Sequence, residues 1–369
     1  MDFELSDDQV ALRHAAASLL DKLSPLERVR AVVDSDVHFD DDLWAAMAAQ
    51  GWMSLERPAD RGGLGLGAVE LAVLCEQVGR HLAPVPFTPT VLACGALDAA
   101  IGDGLDSLEE LAARLGAGEA VGALGWSSRR DAVRASVSGP GGWTLSGRPD
   151  PVVYGPRSDV VVLSAATDDG PALFCVEGAA ARSRRAEPAM DRTREVGWVE
   201  LEGAPAHRLG DVGAVAALLD HAAVAVSAEM LGAAEHALEM TVQYAKDRVQ
   251  FGRPIGSFQA VKHRCADMLV DVEGMRSSVY YAAWAVGAGD PDASAAASAA
   301  KVWCSDAARR VMASALQVHG GIGFTWEHDL HFFVKRSQLD QVSFGDAGYH
   351  RERLAAILRP RAEAGDPVL

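Results

Sequence analysis

Arg248 and Phe251 stand three residues apart at the end of a long apolar run, in the stretch YAKDRVQFGRPIGSFQ, residues 244–259. That spacing predicts one shared helix face. Gly252 and Pro254 break the run, and Ser257 restarts it as an N-cap. A new helix would then begin with free backbone N–H groups and the positive end of its dipole. A guanidinium, a flat ring and a helix N-terminus together suit an anionic ligand that carries an aromatic ring. The same residues also suit an ordinary helical hairpin, with Arg248 paired to Asp247 or Asp267 and Phe251 in the core. This segment alone leaves both arrangements open.

A second constellation lies in LQVHGGIGFTWEHDLHFFVKR, residues 316–336. Gln317 offers amide donors and an acceptor one turn before Gly320 and Gly321. A Gly-Gly pair after a helix lets a ligand approach bare backbone with no Cβ in the way. A plain helix cap would require neither the second glycine nor Gln317. His328 and His331 flank Asp329, but no third ligand stands nearby, so packing or a polar surface is the reading. The glycines of RPADRGGLGLG (57–67) follow no strand and lack G-x-G-x-x-G spacing, which makes them a connecting loop. The acidic DVHFDDD (36–42) reads as a solvated helix start.

Three kinds of segment must position these groups. Residues 1–118 read as helices, with three- and four-residue apolar spacing in ALRHAAASLLDKL, DDLWAAMAAQ and AVELAVLCEQVGRHL. Residues 119–206 change to short β-branched runs punctuated by Gly, Pro and Asp: AVRASVSG, GWTLSG, SDVVVLSA, PALFCVEG and VGWVELEG. These predict an antiparallel β domain. Residues 207–369 return to longer helices. One runs unbroken from about 212 to Phe251, one follows Ser257, and one starts at Asp290-Pro291 and stops at Gly320-Gly321.

Composition limits what such a chain does. It has 369 residues, 49% hydrophobic and 23% charged, which is a globular balance. Lys+Arg 34 against Asp+Glu 51 leaves −17, a charge that repels nucleic acid and anionic lipid. The acidic start MDFELSDDQV is the reverse of a secretory or transit signal, and the Ala-rich runs all carry charges, so no bilayer-spanning segment is expected. Cys75, Cys94, Cys175, Cys265 and Cys304 form no C-x-x-C pair, which fits a reducing cytoplasm with neither disulfides nor thiolate zinc.

The pair YAKDRVQFGRPIGSFQAVKH and LQVHGGIGFTWEHDLHFF, with the helical–β–helical order across nearly the whole chain, resembles the acyl-CoA dehydrogenase family. The resemblance implies that fold: an N-terminal helical domain, a middle antiparallel β domain and a C-terminal helical bundle. It implies FAD as cofactor, held across a subunit interface. The Arg of R-x-x-F-G contacts the pyrophosphate, the Phe packs by the flavin, and Q-x-x-G-G receives the adenine end. Carried over, those roles fall on Arg248, Phe251, Phe258, Gln259, Gln317, Gly320 and Gly321. The implied substrate is an acyl-CoA, with an electron-transfer flavoprotein or similar acceptor.

The chain departs from the family where the family does its proton chemistry. The base that removes the α-proton is usually the Glu of a Tyr-Glu-Gly-Thr segment. The matching stretch here is Ser343-Phe344-Gly345-Asp346, and Phe344 accepts no proton. Other members carry the base on the long helix before R-x-x-F-G, where this chain has Ala222. In the β domain, LGWSSRRDAV and RPDPVVYG stand for the family's flavin-ring segments, with Pro151 and Val153 in place of Trp and Thr, and Pro149 and Pro151 donate no backbone hydrogen bond. The resemblance is therefore to base-lacking subunits of actinobacterial enzymes that desaturate CoA thioesters of steroid side chains. These imply an α2β2 heterotetramer in which a second acyl-CoA dehydrogenase subunit supplies the base. Two other readings stay open. One is a self-sufficient flavoenzyme using Asp346 or Asp340 as base, as nitroalkane-oxidising relatives use an Asp; the other is a silent scaffold that kept the fold.

Overall fold

The computed structural model describes residues 4–35, 37–129, 131–139 and 141–365. Asp36 and Arg130, which belong to segments singled out above, lie outside them. In chain order the helices are α1 Asp7–Leu23, α2 Leu26–Val33, α3 Asp41–Ala49, α4 Ala68–Arg80, α5 Phe87–Gly102 and α6 Glu109–Gly116. The strands β1 Gly122–Gly125, β2 Val133–Gly139, β3 Gly142–Gly147, β4 Val152–Val153, β5 Val160–Thr167, β6 Gly170–Glu177, β7 Ser183–Glu187 and β8 Val196–Gly210 follow. Helix α7 (Val212–Asp247), a small hairpin of β9 (Val249–Gln250) and β10 (Arg253–Pro254), and helices α8 Gln259–Gly287, α9 Ala293–His319, α10 Leu330–Val342 and α11 Ala347–Ala364 complete the chain. The expected order of N-terminal helices, central β domain and C-terminal helices is present.

By internal packing the chain forms two compact units that are discontinuous in sequence. Unit 1 comprises the chain up to Arg30, Ala68–Ala83, and everything from Ala223 onward; unit 2 comprises Ala31–Gly67 and Pro84–Ala222.

In unit 2 the sheet order is β1-β5-β2-β3-β8-β4, with β6 bridging β5 and β8, and β7 on β8. Most pairings are antiparallel, as the alternating runs predict. Two are not: β1 lies parallel to β5, and β2 meets β5 in parallel at Arg134↔Ala166. The β1 sequence GALG is buried throughout, so it carries no alternation from which to read a partner. Leu145, Val161, Leu163, Phe174, Val176 and Leu201 form the core of this domain. Helix α3 starts at the acidic run, with Asp40 accepting from the Leu43 N–H at 3.2 Å, but Asp40 is buried and not solvated as the run predicts.

Unit 1 is a bundle of Ala- and Gly-rich helices that approach closely. A Cβ on Gly232 of α7 would meet the Glu76 carbonyl of α4 at 1.8 Å, and one on Gly79 would meet Glu229 O at 2.0 Å. The two backbones touch at this crossing, which only glycine permits. Helix α7 holds an 18-residue window of mean hydropathy 1.5, enough by length and composition to cross a bilayer, contrary to the expectation from sequence. The scattered charges conceal an apolar average, and 67% of that window is buried inside the protein, as in a core helix.

Candidate functional site

Helix α7 ends one residue before Arg248. The guanidinium does not share a helix face with Phe251, because β9 and β10 fold the next residues into a two-residue hairpin. Phe251 and Gly252 form its tip, both with positive φ (55° and 77°). The hairpin closes on the helix end, with Ile255 N–H donating to Arg248 O at 2.8 Å and Arg248 N–H to Tyr244 O at 2.8 Å. A left-handed Phe costs backbone energy, and here it holds a ring 92% exposed. The hairpin displaces the expected cap as well. Phe258, not Ser257, is the N-cap of α8 and caps it through no side chain, while Ser257 sits in a 3-10 turn. Phe258 lies edge-on to Phe251 at 6.0 Å and under the Arg253 guanidinium at 4.2 Å. Gln259 is exposed, its amide 3.4 Å from His263 Nε2.

The hairpin-core arrangement considered from the sequence does not form. Asp247 accepts from Gln243 at 2.8 Å, and among the described residues no carboxylate pairs with the exposed Arg248. Phe251 is in solvent, not in a core. A cation with no carboxylate partner among the described residues and a ring that is largely in solvent are thus presented together.

Helix α9 starts at Ala293 with Asp292 as N-cap, two residues later than the Asp290-Pro291 start read from sequence. Asp290 instead accepts from the Asp292 N–H at 2.8 Å, an Asx turn that leads in. The helix stops at His319, where Gly320 takes φ 63°, ψ −141°, a region only glycine adopts freely. A Cβ on Gly320 or Gly321 would meet nothing within 4 Å, so the Gly-Gly backbone is open on that side. Gln317 is exposed one turn earlier.

His319 joins the two segments, and sequence reasoning missed it. Its buried ring stacks on Tyr244 at 4.5 Å, fixing the end of α7 against the end of α9. Its Nδ1 lies 2.9 Å from Ala315 O, and burial pushes its pKa below the ordinary histidine value. Histidine at a helix C-terminus ordinarily signals a dipole partner; only the tertiary stack reveals a spacer. Beyond the Gly-Gly turn, Arg30 of α2 pairs with Asp329, donates to Trp326 O at 2.8 Å and sits 5.1 Å from the Phe332 ring. His331 stacks on Trp326 at 4.5 Å, and His328 Nδ1 accepts from the Leu330 N–H at 3.2 Å. Both histidines serve packing here.

The segment Ser343-Phe344-Gly345-Asp346 is committed to backbone structure. Phe344 has φ 58°, and its carbonyl accepts from His350 Nε2 at 2.9 Å. Asp346 caps α11, accepting from the Tyr349 N–H at 2.8 Å. Asp340 is fully buried, and Lys301 donates to the carbonyls of Asp340 (3.0 Å) and Gln341 (2.8 Å) at the end of α10. Burial pushes the Lys301 ammonium down to about 8 despite Asp340. Ala222 is buried on α7. In the β domain Arg148 stacks over Trp198 at 4.1 Å, the Asp150 N–H donates to Trp126 O at 3.2 Å, and Tyr154 is fully buried at φ 56°.

Known proteins resemble this chain in sequence and fold. Residues 6–102 match the description "Acyl-CoA dehydrogenase, N-terminal domain", and residues 212–358 match "Acyl-CoA dehydrogenase, C-terminal domain". The chain is similar to "Acyl-CoA dehydrogenase IpdE2" of Mycolicibacterium smegmatis, 34% identical over 95% of this chain and 99% of that one. Among solved structures it is similar to a variant of the Tcur3481-Tcur3483 steroid ACAD (TM-score 0.89, 31% identity, 97% of this chain and 99% of that one). It is equally similar to the ChsE4-ChsE5 complex from Mycobacterium tuberculosis (TM-score 0.89, 30% identity, 100% of both chains). The chain belongs to the acyl-CoA dehydrogenase family, flavoprotein oxidoreductases that act on CH–CH bonds.

Proposed function

We propose that this chain is the base-lacking subunit of a cytoplasmic α2β2 acyl-CoA dehydrogenase that forms the α,β-double bond of a steroid side-chain CoA thioester. A partner subunit supplies the base and the flavin-ring pocket. One observation carries the reading: at both family base positions the side chain is apolar (Phe344 and Ala222), and the nearby carboxylates are spent, Asp346 on a helix cap and Asp340 in the bundle interior. The description of Tcur3481-Tcur3483 as a steroid ACAD, and the two-component make-up of both it and the ChsE4-ChsE5 complex, support it.

The exposed groups of unit 1 fit half of an FAD site. Arg248, with no carboxylate on it, would hold the pyrophosphate by charge-assisted hydrogen bonds. Phe251, Phe258 and Gln259 would line the same half, and Gln317 with the open Gly320-Gly321 backbone would receive the adenine end. Bound FAD supplies the hydride acceptor, and an electron-transfer flavoprotein or similar protein would reoxidise it. This chain's residues bind and orient; proton removal belongs to the partner.

The test is co-expression with a second acyl-CoA dehydrogenase subunit. We expect flavin absorbance and acyl-CoA-dependent dye reduction in the complex, and neither in the chain alone. Turnover by the isolated chain would overturn the reading and return the base to an Asp of this chain.

A further inference from the structure

Unit 2 holds a cavity of about 370 Å³ that none of the residues assigned above to the cofactor lines. Helix α5 faces it with Gly95, Ala96 and Ala99, and the first turns of α7 face it with Ala214 and Ala217. Small residues on both helices leave the room. A Cβ on Gly95 would come no nearer than 4.0 Å to any neighbour, the first being Glu56 Oε2. Leu173 of β6 and Leu209 of β8 complete an apolar lining. The volume falls in the range of small-molecule pockets, roughly 300–1,000 Å³.

The polar groups decide what fits. Glu56 and His221 both line the cavity, and His221 Nε2 stands 3.5 Å from Glu56 Oε1, at the outer limit of a hydrogen bond. The other imidazole nitrogen is 3.3 Å from Ala217 O. A hydroxyl bridging the two groups would accept from the imidazole and donate to the carboxylate, replacing one long contact with two short ones. The remaining charges in the lining, Asp98 and Asp103, are acidic, and Asp98 is matched by Arg57 at 3.3 Å. Among the described residues no cation beyond His221 lines the space, so a phosphate or carboxylate would meet repulsion.

We infer that this cavity binds an uncharged, largely hydrocarbon molecule with one hydroxyl group, which accepts from His221 and donates to Glu56. The inference is independent of the cofactor reading. The probe is 1-adamantanol, compact and neutral, with 1-adamantanecarboxylate as its anionic counterpart, titrated into the full chain by calorimetry. Expected are saturable binding of the alcohol and at least about tenfold weaker binding of the carboxylate, as loss of one charge-dependent contact would give. His221→Ala should weaken the alcohol by about three- to tenfold. Ala99→Leu should abolish binding by filling the space, with Gly95→Val as a second filling variant should the first fail to fold. Absence of saturable binding, carboxylate binding as tight as the alcohol, or unchanged binding in a folded filling variant would overturn the inference.

Discussion

The hairpin at 248–254 and the strand segment at 148–154 are both short, both bend sharply and both hold an aromatic residue with positive φ, yet the chain uses them in opposite ways. In the first, Phe251 is 92% exposed and Arg248 has no carboxylate among the described residues. In the second, Tyr154 is fully buried, Arg148 lies over Trp198, and the Asp150 N–H is consumed by Trp126. One segment keeps its binding groups uncommitted; the other spends them on its own domain. An exposed strained aromatic contributes little to the folded chain, since it buries little surface. Such a ring is available to a ligand or partner that would cover it.

The contrast breaks most readily at Arg248. If the guanidinium meets a pyrophosphate, Arg248→Ala in the assembled complex removes a contact of about 1.5–3 kcal/mol, roughly ten- to hundred-fold in FAD affinity. Circular dichroism should be unchanged, because an exposed, unpaired Arg contributes little to folding. Unaltered flavin content would remove Arg248 from the site. Gln317→Ala should give a smaller loss of the same kind, about 0.5–1.5 kcal/mol for a neutral hydrogen bond, read by flavin retention on a desalting column.

A third prediction concerns unit 1 alone. His236 stacks on Phe333 at 4.8 Å, and burial, then Arg80, pushes its pKa down to about 4 from 6.5. The unfolded chain therefore binds more protons between those values. The stability this group contributes is complete above pH 6.5 and is lost as pH falls toward 4. Thermal melts should decline across that window. In His236→Phe, which keeps a ring on Phe333, the decline should be shallower by about 1 kcal/mol; parallel curves would show that His236 is not the titrating group. The smallest effect sharpens the comparison from the other side. Phe344→Glu in the isolated chain should produce no acyl-CoA-dependent turnover, because on the proposed reading the partner subunit supplies the flavin-ring pocket. Turnover from that single change would show that the strand segment is competent.

Much of the fold was legible because its signals are local. Three- and four-residue spacing marks α1, α3 and α4, and Asp40 caps α3 as the acidic run foretells. Helix α5 was less distinct as an element, being apolar on every side and so without periodicity. The hairpin at 249–254 was hidden for a different reason. Arg248 through Phe251 continue the helical pattern, and what ends the helix is the return of Ile255 N–H to Arg248 O, a contact between residues that propensity treats as unrelated. His319 was invisible as a spacer because its partner, Tyr244, lies 75 positions away in sequence.

The types and spacings of Arg248, Phe251, Gln317, Gly320 and Gly321, together with the order of helices and strands, are properties of the sequence by itself. They are carried by periodicity, by glycine's access to positive φ and by the charge a residue bears, and none of these waits on a partner. Which of those groups are left uncommitted was decided only by the tertiary structure. Asp247 turns to Gln243 and leaves Arg248 free, Asp346 turns to Tyr349, and Lys301 takes the carbonyls that end α10. A side chain's availability for chemistry depends on who else reaches it, and that competition is settled by packing across distant parts of the chain.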